Sequence, residues 1–312
     1  MMEKASLSQS DIRDYINEKK IFRNFKLRQL GSGLANKNFL ISSNGKQYNL
    51  RTNRIRPPMN KELLAHEHLA LEFFKVKKIN FTAHSHYYDK EENIHIVEYL
   101  PGRKIQMKNI STAQLAQTLE CLYKINGLVP SFKVYIKKEG HRFPAPTKYN
   151  SALLKRLQKD FRKLNKHREY RFVINWVKKK IKKDFKYLRL SEKNVYLNHG
   201  DPVSNIIINR NKIYLIDWER VKLAYDPGIA YIFLHGDLSS KRRREIVDIY
   251  AGLSGIEPTA LRAETVRTFK QLMFEDLINL CKVHLWNKTK YNSREKLYLG
   301  LINGRMRYYD YL

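Results

Sequence analysis

His199-Gly200-Asp201-Pro202-Val203-Ser204-Asn205 is followed by Ile216-Asp217-Trp218-Glu219, whose aspartate lies twelve positions after the asparagine. Between the two lie short apolar runs, Ile206-Ile207-Ile208 and Ile213-Tyr214-Leu215-Ile216, separated by Asn209-Arg210-Asn211. Apolar runs of this length around a polar turn predict a β-hairpin. Such a hairpin gathers Asp201, Asn205 and Asp217, three oxygen-bearing side chains, at one spot. An Asn and an Asp suit Mg²⁺, a hard cation that takes oxygen ligands and accompanies substrate phosphates. That leaves Asp201 to accept a proton from a hydroxyl nucleophile, which completes the parts needed for phosphoryl transfer. Either tripeptide alone has a plain alternative, a chance match beside an ordinary surface hairpin. Their order and spacing on one hairpin favour the chemistry.

The segment resembles the aminoglycoside phosphotransferase and choline kinase superfamily, enzymes that phosphorylate hydroxyls of small molecules. That pattern has HGD or HND, then an Asn, then ID followed by an apolar residue. The chain departs from it once: Asn205 falls four positions after Asp201, one fewer than in the pattern. Further upstream, Gly33-Leu34-Ala35-Asn36-Lys37-Asn38-Phe39 resembles the phosphate loop of the choline/thiamine kinase-like branch, and Glu98-Tyr99-Leu100-Pro101-Gly102 resembles the hinge segment. Tyr225-Asp226-Pro227-Gly228-Ile229-Ala230 resembles a later loop, in which Asp226 is expected to anchor the chain or cap a helix.

The resemblance spans about Leu30 to Ala230 and implies an α+β, protein-kinase-like fold of two lobes. A small N-terminal lobe of antiparallel sheet with one helix would cover residues 1–100, and a larger, mainly α-helical lobe residues 101–312. It implies an ATP-dependent phosphotransferase acting on an alcohol group, with ATP and Mg²⁺ as cofactors. Asp201 is then the base, His199 the brace of the catalytic loop, and Asn205 and Asp217 the Mg²⁺ ligands. Gly31, Ser32, Gly33 and Asn36 would approach the phosphates, and Glu98, Tyr99 and Leu100 would meet the adenine through their backbone.

Read in order, residues 3–20 predict a leading helix with Ser8 or Ser10 as its cap. Phe25 to Leu30 alternates as a strand does, and Asn44-Gly45 is a type I′ hairpin signal. The strand after it ends at Arg51, the position where the resemblance expects a cation paired with the nucleotide phosphates and with a helix glutamate. Arg54 and Arg56 are neighbouring alternatives. On the helix expected over roughly Asn60 to Lys77, Glu67 is preferred to Glu62 as the partner. Residues 131–150 read as a polar connection containing Pro144 and Pro146. Residues 155–189 carry many Lys and Arg at helical spacing and predict two amphipathic helices with basic outer faces. From Pro258 the periodicity is helical throughout.

At 312 residues, 43% hydrophobic and 12% aromatic, the chain can bury a real core. Its two cysteines, Cys121 and Cys281, offer neither a disulfide framework nor a metal cluster, so a reducing, cytoplasmic setting is expected. Residues 1–14 lack the apolar core of a signal peptide, and no run approaches the roughly 18 apolar residues of a membrane span. Sixty Lys and Arg against thirty Asp and Glu give a formal charge of +30, which attracts polyanions over about 8 Å at physiological salt. Two acceptor classes stay open. One is a small-molecule hydroxyl, of choline, thiamine or amino-sugar type, for which Trp218 and Glu219 could form an aromatic and acidic wall. The other is RNA or another polyanion docked on the basic 155–189 helices. A third reading, from a different class, is a catalytically weak kinase fold serving as an RNA-binding module.

Overall fold

The computed structural model describes residues 7–32, 36–53, 63–141, 143, 152–184, 194–235, 237–290, 302–304 and 306. In chain order, the N-terminal elements are α1 (Gln9–Glu18), β1 (Lys26–Ser32), β2 (Asn36–Ser43), β3 (Lys46–Asn53), α2 (Leu63–Val76), β4 (Ser85–Asp89), β5 (Ile94–Glu98) and β6 (Arg103–Ile105). Next come α3 (Thr112–Asn126), α4 (Val129–Lys138), α5 (Ala152–Leu164), α6 (Arg171–Asp184), β7 (Tyr196–Asn198), β8 (Ile206–Asn209) and β9 (Lys212–Leu215). After these follow β10 (Lys222–Ala224), α7 (Ile229–His235), α8 (Ser240–Ser254) and α9 (Pro258–Lys290). The chain falls into two compact units, Met1–Cys121 with Pro130–Phe143 and His199–Val221, and Leu122–Val129 with Pro144–Asn198 and Lys222–Leu312.

The first unit is built on an antiparallel sheet in the order β1-β2-β3-β5-β4. Asn44 and Gly45 both sit at positive φ, 50° and 71°, and join β2 to β3 by the two-residue turn that their sequence predicts. Helix α1 is capped by Ser8, which accepts from the Asp11 amide while Asp11 accepts from the Ser8 amide. Its Ile12 and Ile16 are fully buried against Leu27, Phe39, Ile41, Leu50, Ile94 and Ile96. Burying each isoleucine contributes about 1.5–3 kcal/mol.

Because side chains alternate along a strand, the residues between these apolar ones face the other way. Arg51 follows Leu50, and His95 lies between Ile94 and Ile96; the two are direct cross-strand partners. Helix α2 brings Glu67 to that opposite face. So the period-two pattern that builds the core also delivers a cation and an imidazole to one buried carboxylate.

The hairpin of β8 and β9 is present and is joined by β6 in a second sheet of order β6-β8-β9. Its loop is tighter than a three-residue turn: Asn209 pairs with Lys212, leaving Arg210 and Asn211 at φ 45° and 66°. Residues 131–138 correct the expectation of a connection, since they lie in α4. Val129, Phe132 and Ile136 are buried at helical spacing, with Pro130 near the helix start, where a missing N–H costs nothing.

In the second unit β7 pairs with β10, and α5 and α6 form the two amphipathic helices expected. Leu157, Phe161, Leu164, Val173, Ile174 and Val177 are buried, while Arg162, Lys163, Lys179, Lys182 and Lys183 are exposed. Asp226 holds the start of α7, accepting from the Ala230 amide at 3.4 Å and from Asn198 Nδ2 at 3.3 Å. Among the described residues no helix is long and apolar enough to cross a membrane.

Candidate active site

Arg51 is the centre of the site. Its Nη1 donates to both oxygens of Glu67, while Nη2 donates to Asp217 Oδ1 at 2.8 Å and to Glu219 Oε2 at 3.3 Å. Burial alone would pull the guanidinium pKa down, but the carboxylates of Glu67, Asp217 and Glu219 carry it above its ordinary value. Burial in turn pushes the Glu67 carboxyl up, and the charge of Arg51 with the bond from His95 overrides this and holds it low. Both groups are charged at neutral pH and neither is solvated, so each is stable only with its partner. Arg54, Arg56 and Glu62, the alternatives for this pair, lie outside the described residues.

Glu67 does more than pair with Arg51. Its Oε1 accepts from the backbone N–H of Trp218 at 3.0 Å, and its Oε2 lies 3.2 Å from His95 Nδ1. A carboxylate only accepts, so Nδ1 carries the proton. His95 Nε2 in turn lies 3.0 Å from the Ser85 hydroxyl, and Ser85 Oγ lies 2.8 Å from His68 Nδ1. Glu67 therefore ties α2 to the residue directly after Asp217, with a buried polar chain behind it.

Asp217 adopts left-handed backbone angles, φ 66° and ψ 63°, which few non-glycine residues tolerate and Asp tolerates better than most. The three-residue turn Trp218–Arg220 follows at once. Trp218 is 1% exposed, with its indole N–H donating to Leu215 O and its ring 4.7 Å from Phe74 and 4.1 Å from His199. Trp218 and Glu219 therefore do not supply the wall anticipated for a cationic acceptor: one is core and the other is paired with Arg51.

His199 is fully buried, which pushes its imidazole down to about 4 against the upward pull of Asp217. As a neutral ring it donates from Nε2 to Ile216 O at 3.0 Å and accepts at Nδ1 from the Asp201 N–H at 3.3 Å. Gly200 cannot be replaced here. It sits at φ +83°, and a Cβ would lie 2.1 Å from the Arg220 carbonyl oxygen. Asn205 donates from Nδ2 to the Asp201 carbonyl at 2.9 Å, and its own carbonyl accepts from the Ile216 N–H at 3.0 Å. The loop and the end of β9 are thus stitched together around Asp201, Asn205 and Asp217.

These three residues share a cavity of about 640 Å³ with Arg51, Glu67, Glu219, Lys104 and Arg220. Glu98, Tyr99 and Leu100 line the same cavity. The Glu98 and Tyr99 amides are bonded to His84 O and Gln47 O, and among the described residues the Leu100 amide makes no backbone bond. Gly31 and Ser32 end β1 and Asn36 begins β2, while Gly33 lies outside the described residues. Among the described residues no group of three or more His, Cys, Asp and Glu is arranged to hold a metal. One amide oxygen and one carboxylate is instead a donor set that fits Mg²⁺, which binds through few protein oxygens plus waters and phosphate. Sequence reasoning missed Lys104, the His95–Ser85–His68 chain, and the inward turn of Glu219; the acidic residue two places after Asp217 was the one available signal.

No family model matches the chain, and no curated protein matches it in sequence. Solved structures do match its fold. The choline kinase LicA from Streptococcus pneumoniae superposes with a TM-score of 0.63 at 16% identity, covering 96% of this chain and 99% of that one. A choline/ethanolamine kinase family protein from Mesorhizobium loti gives 0.64 at 16% identity, covering 97% and 94%. The streptomycin-ATP-APH(2″)-IIa ternary complex gives 0.63 at 16% identity, covering 96% and 97%. The protein-kinase-like fold that the catalytic-loop resemblance implied is the fold of this chain.

Proposed function

We propose that this chain, which has the fold of the choline kinases and aminoglycoside phosphotransferases, is an ATP-dependent phosphotransferase acting on a hydroxyl of a small molecule. The observation that carries the proposal is the Arg51 cluster: a strand cation held by a helix glutamate and bonded to Asp217, in one cavity with Asp201 and Asn205. A neighbour with this fold was solved with streptomycin and ATP together.

In this reading Asp201 orients the acceptor hydroxyl and takes its proton on the carboxylate, in a geometry fixed by the His199 and Asn205 bonds to its backbone. Asn205 Oδ1 and the Asp217 carboxylate would hold Mg²⁺, which when bound screens the charge of the phosphate oxygens. Arg51, kept rigid by Glu67, holds the Asp217 carboxylate in a fixed place that needs no reorganisation during the reaction. The Leu100 amide is the hinge donor left for a purine edge.

The test is transfer of label from γ-labelled ATP with Mg²⁺ to a pooled small-metabolite extract and, in parallel, to total RNA, with Asp201→Asn as control. Label entering a small molecule and lost in the control supports the proposal. Label entering RNA instead would move the acceptor to the polyanion class, for which the exposed cations of α5 and α6 are the docking face. No label in either arm refutes the enzyme.

A further inference from the structure

Among the described residues three cations line the cavity, Arg51, Lys104 and Arg220. Arg51 is shared among three carboxylates and has little charge left to offer a ligand. Lys104 is placed differently. It stands on β6 directly opposite Ile207 of β8, next to the buried Ile105, so strand alternation turns Lys104 and Ile207 together toward the cavity. Its Nζ donates to Asn205 Oδ1 at 3.3 Å, a neutral amide oxygen. Among the described residues it makes no ion pair with a carboxylate.

The cavity otherwise carries Glu67, Glu98, Asp201, Asp217 and Glu219, a poor environment for a polyanionic nucleotide. The segment between Asp201 and Asn205, Pro202-Val203-Ser204, contributes no cation. An ammonium on a flexible four-carbon stem acts as a point-charge phosphate binder that can exchange one oxygen for another. The oxygen it holds here belongs to the side chain assigned to the metal, and that side chain is bonded to the backbone of the assigned base. A group within reach of both is the phosphate being transferred.

We infer that Lys104 is a phosphate-binding residue of this site, whose ammonium exchanges Asn205 Oδ1 for an oxygen of the nucleotide's terminal phosphate. The inference rests on the phosphotransferase reading and adds to it a residue that discriminates a triphosphate from a diphosphate. Lys104 is exposed, so its replacement leaves the core intact.

The experiment is calorimetric titration of the wild type, Lys104→Met and Lys104→Arg with Mg²⁺ and either ADP or a non-hydrolysable ATP analogue. Losing one charge-assisted bond to phosphate weakens the analogue by roughly tenfold to a hundredfold, while ADP affinity in Lys104→Met stays within about twofold and Lys104→Arg recovers most of the loss. Equal weakening of both nucleotides, or no change in either, would overturn the assignment. Failure of the wild type to bind either nucleotide would instead sink the phosphotransferase reading, and Lys104 with it.

Discussion

Replacing Glu67 by Gln changes a single oxygen to an amide nitrogen without altering shape, and the structure says what that does. The amide oxygen can still accept from the Trp218 N–H, as Oε1 does now at 3.0 Å. The new NH₂ takes the place of Oε2, which at present accepts from Arg51 Nη1 at 2.5 Å and from His95 Nδ1 at 3.2 Å. Two acceptor contacts become donor facing donor, and Arg51 keeps Asp217, Glu219 and a neutral amide oxygen where a charged carboxylate stood. At about 1.5–3 kcal/mol per charge-assisted bond the loss comes to about 3–5 kcal/mol, the range found when one partner of a buried ion pair is removed. Urea unfolding at pH 7 should therefore show Glu67→Gln less stable by about 3 kcal/mol or more. A double variant, Arg51→Met with Glu67→Leu, should not recover that stability, because it strands the buried Glu219 carboxylate and leaves the Trp218 N–H without its acceptor. A cost below about 1 kcal/mol for Glu67→Gln would refute the argument, since it would mean that the pair is solvated rather than buried.

Two further outcomes follow from the same geometry. Gly200→Ala should lower stability by at least about 1–3 kcal/mol from the left-handed backbone alone, with the collision on the Arg220 carbonyl added, read as a fall in the urea midpoint. Burial pushes His68 down to about 4 from its ordinary 6.5, so the unfolded chain binds this proton more readily than the folded one. The stability this contributes is complete above pH 6.5 and is lost as pH falls toward 4. The urea midpoint of the wild type should therefore drop faster over that interval than that of His68→Asn; parallel curves would count against a buried neutral ring.

Much of the site was legible because its parts are local in sequence. The hairpin from Ile206 to Leu215 announced itself by apolar runs around a polar turn, and Asn44-Gly45 by the φ values its turn demands. Arg51 at a strand end and Glu67 on the next helix were separable from Arg54, Arg56 and Glu62 only through the resemblance. What stayed hidden depends on packing between distant segments. Lys104 reaches Asn205 because β6 pairs with β8 across about a hundred residues of chain. His95 reads as one residue of an apolar strand until the register sets it beside Arg51. Trp218 and Glu219 look available in a one-dimensional string, and they are consumed by Phe74, His199 and Arg51. Helix α4 was masked by the polar residues around Phe132 and Ile136, whose spacing spans only two turns.

The backbone of Asp217 has a practical consequence for anyone who tests the role proposed for this carboxylate. Alanine, the usual choice, carries a Cβ but no side-chain oxygen, and it pays about 1–2 kcal/mol to sit in a left-handed conformation. An Asp217→Ala protein would thus differ from its parent in main-chain fit as well as in charge, and a loss of activity in it would have two explanations. Asparagine shares with aspartate the short polar side chain that visits this region readily, so Asp217→Asn removes the negative charge while leaving the chain path undisturbed.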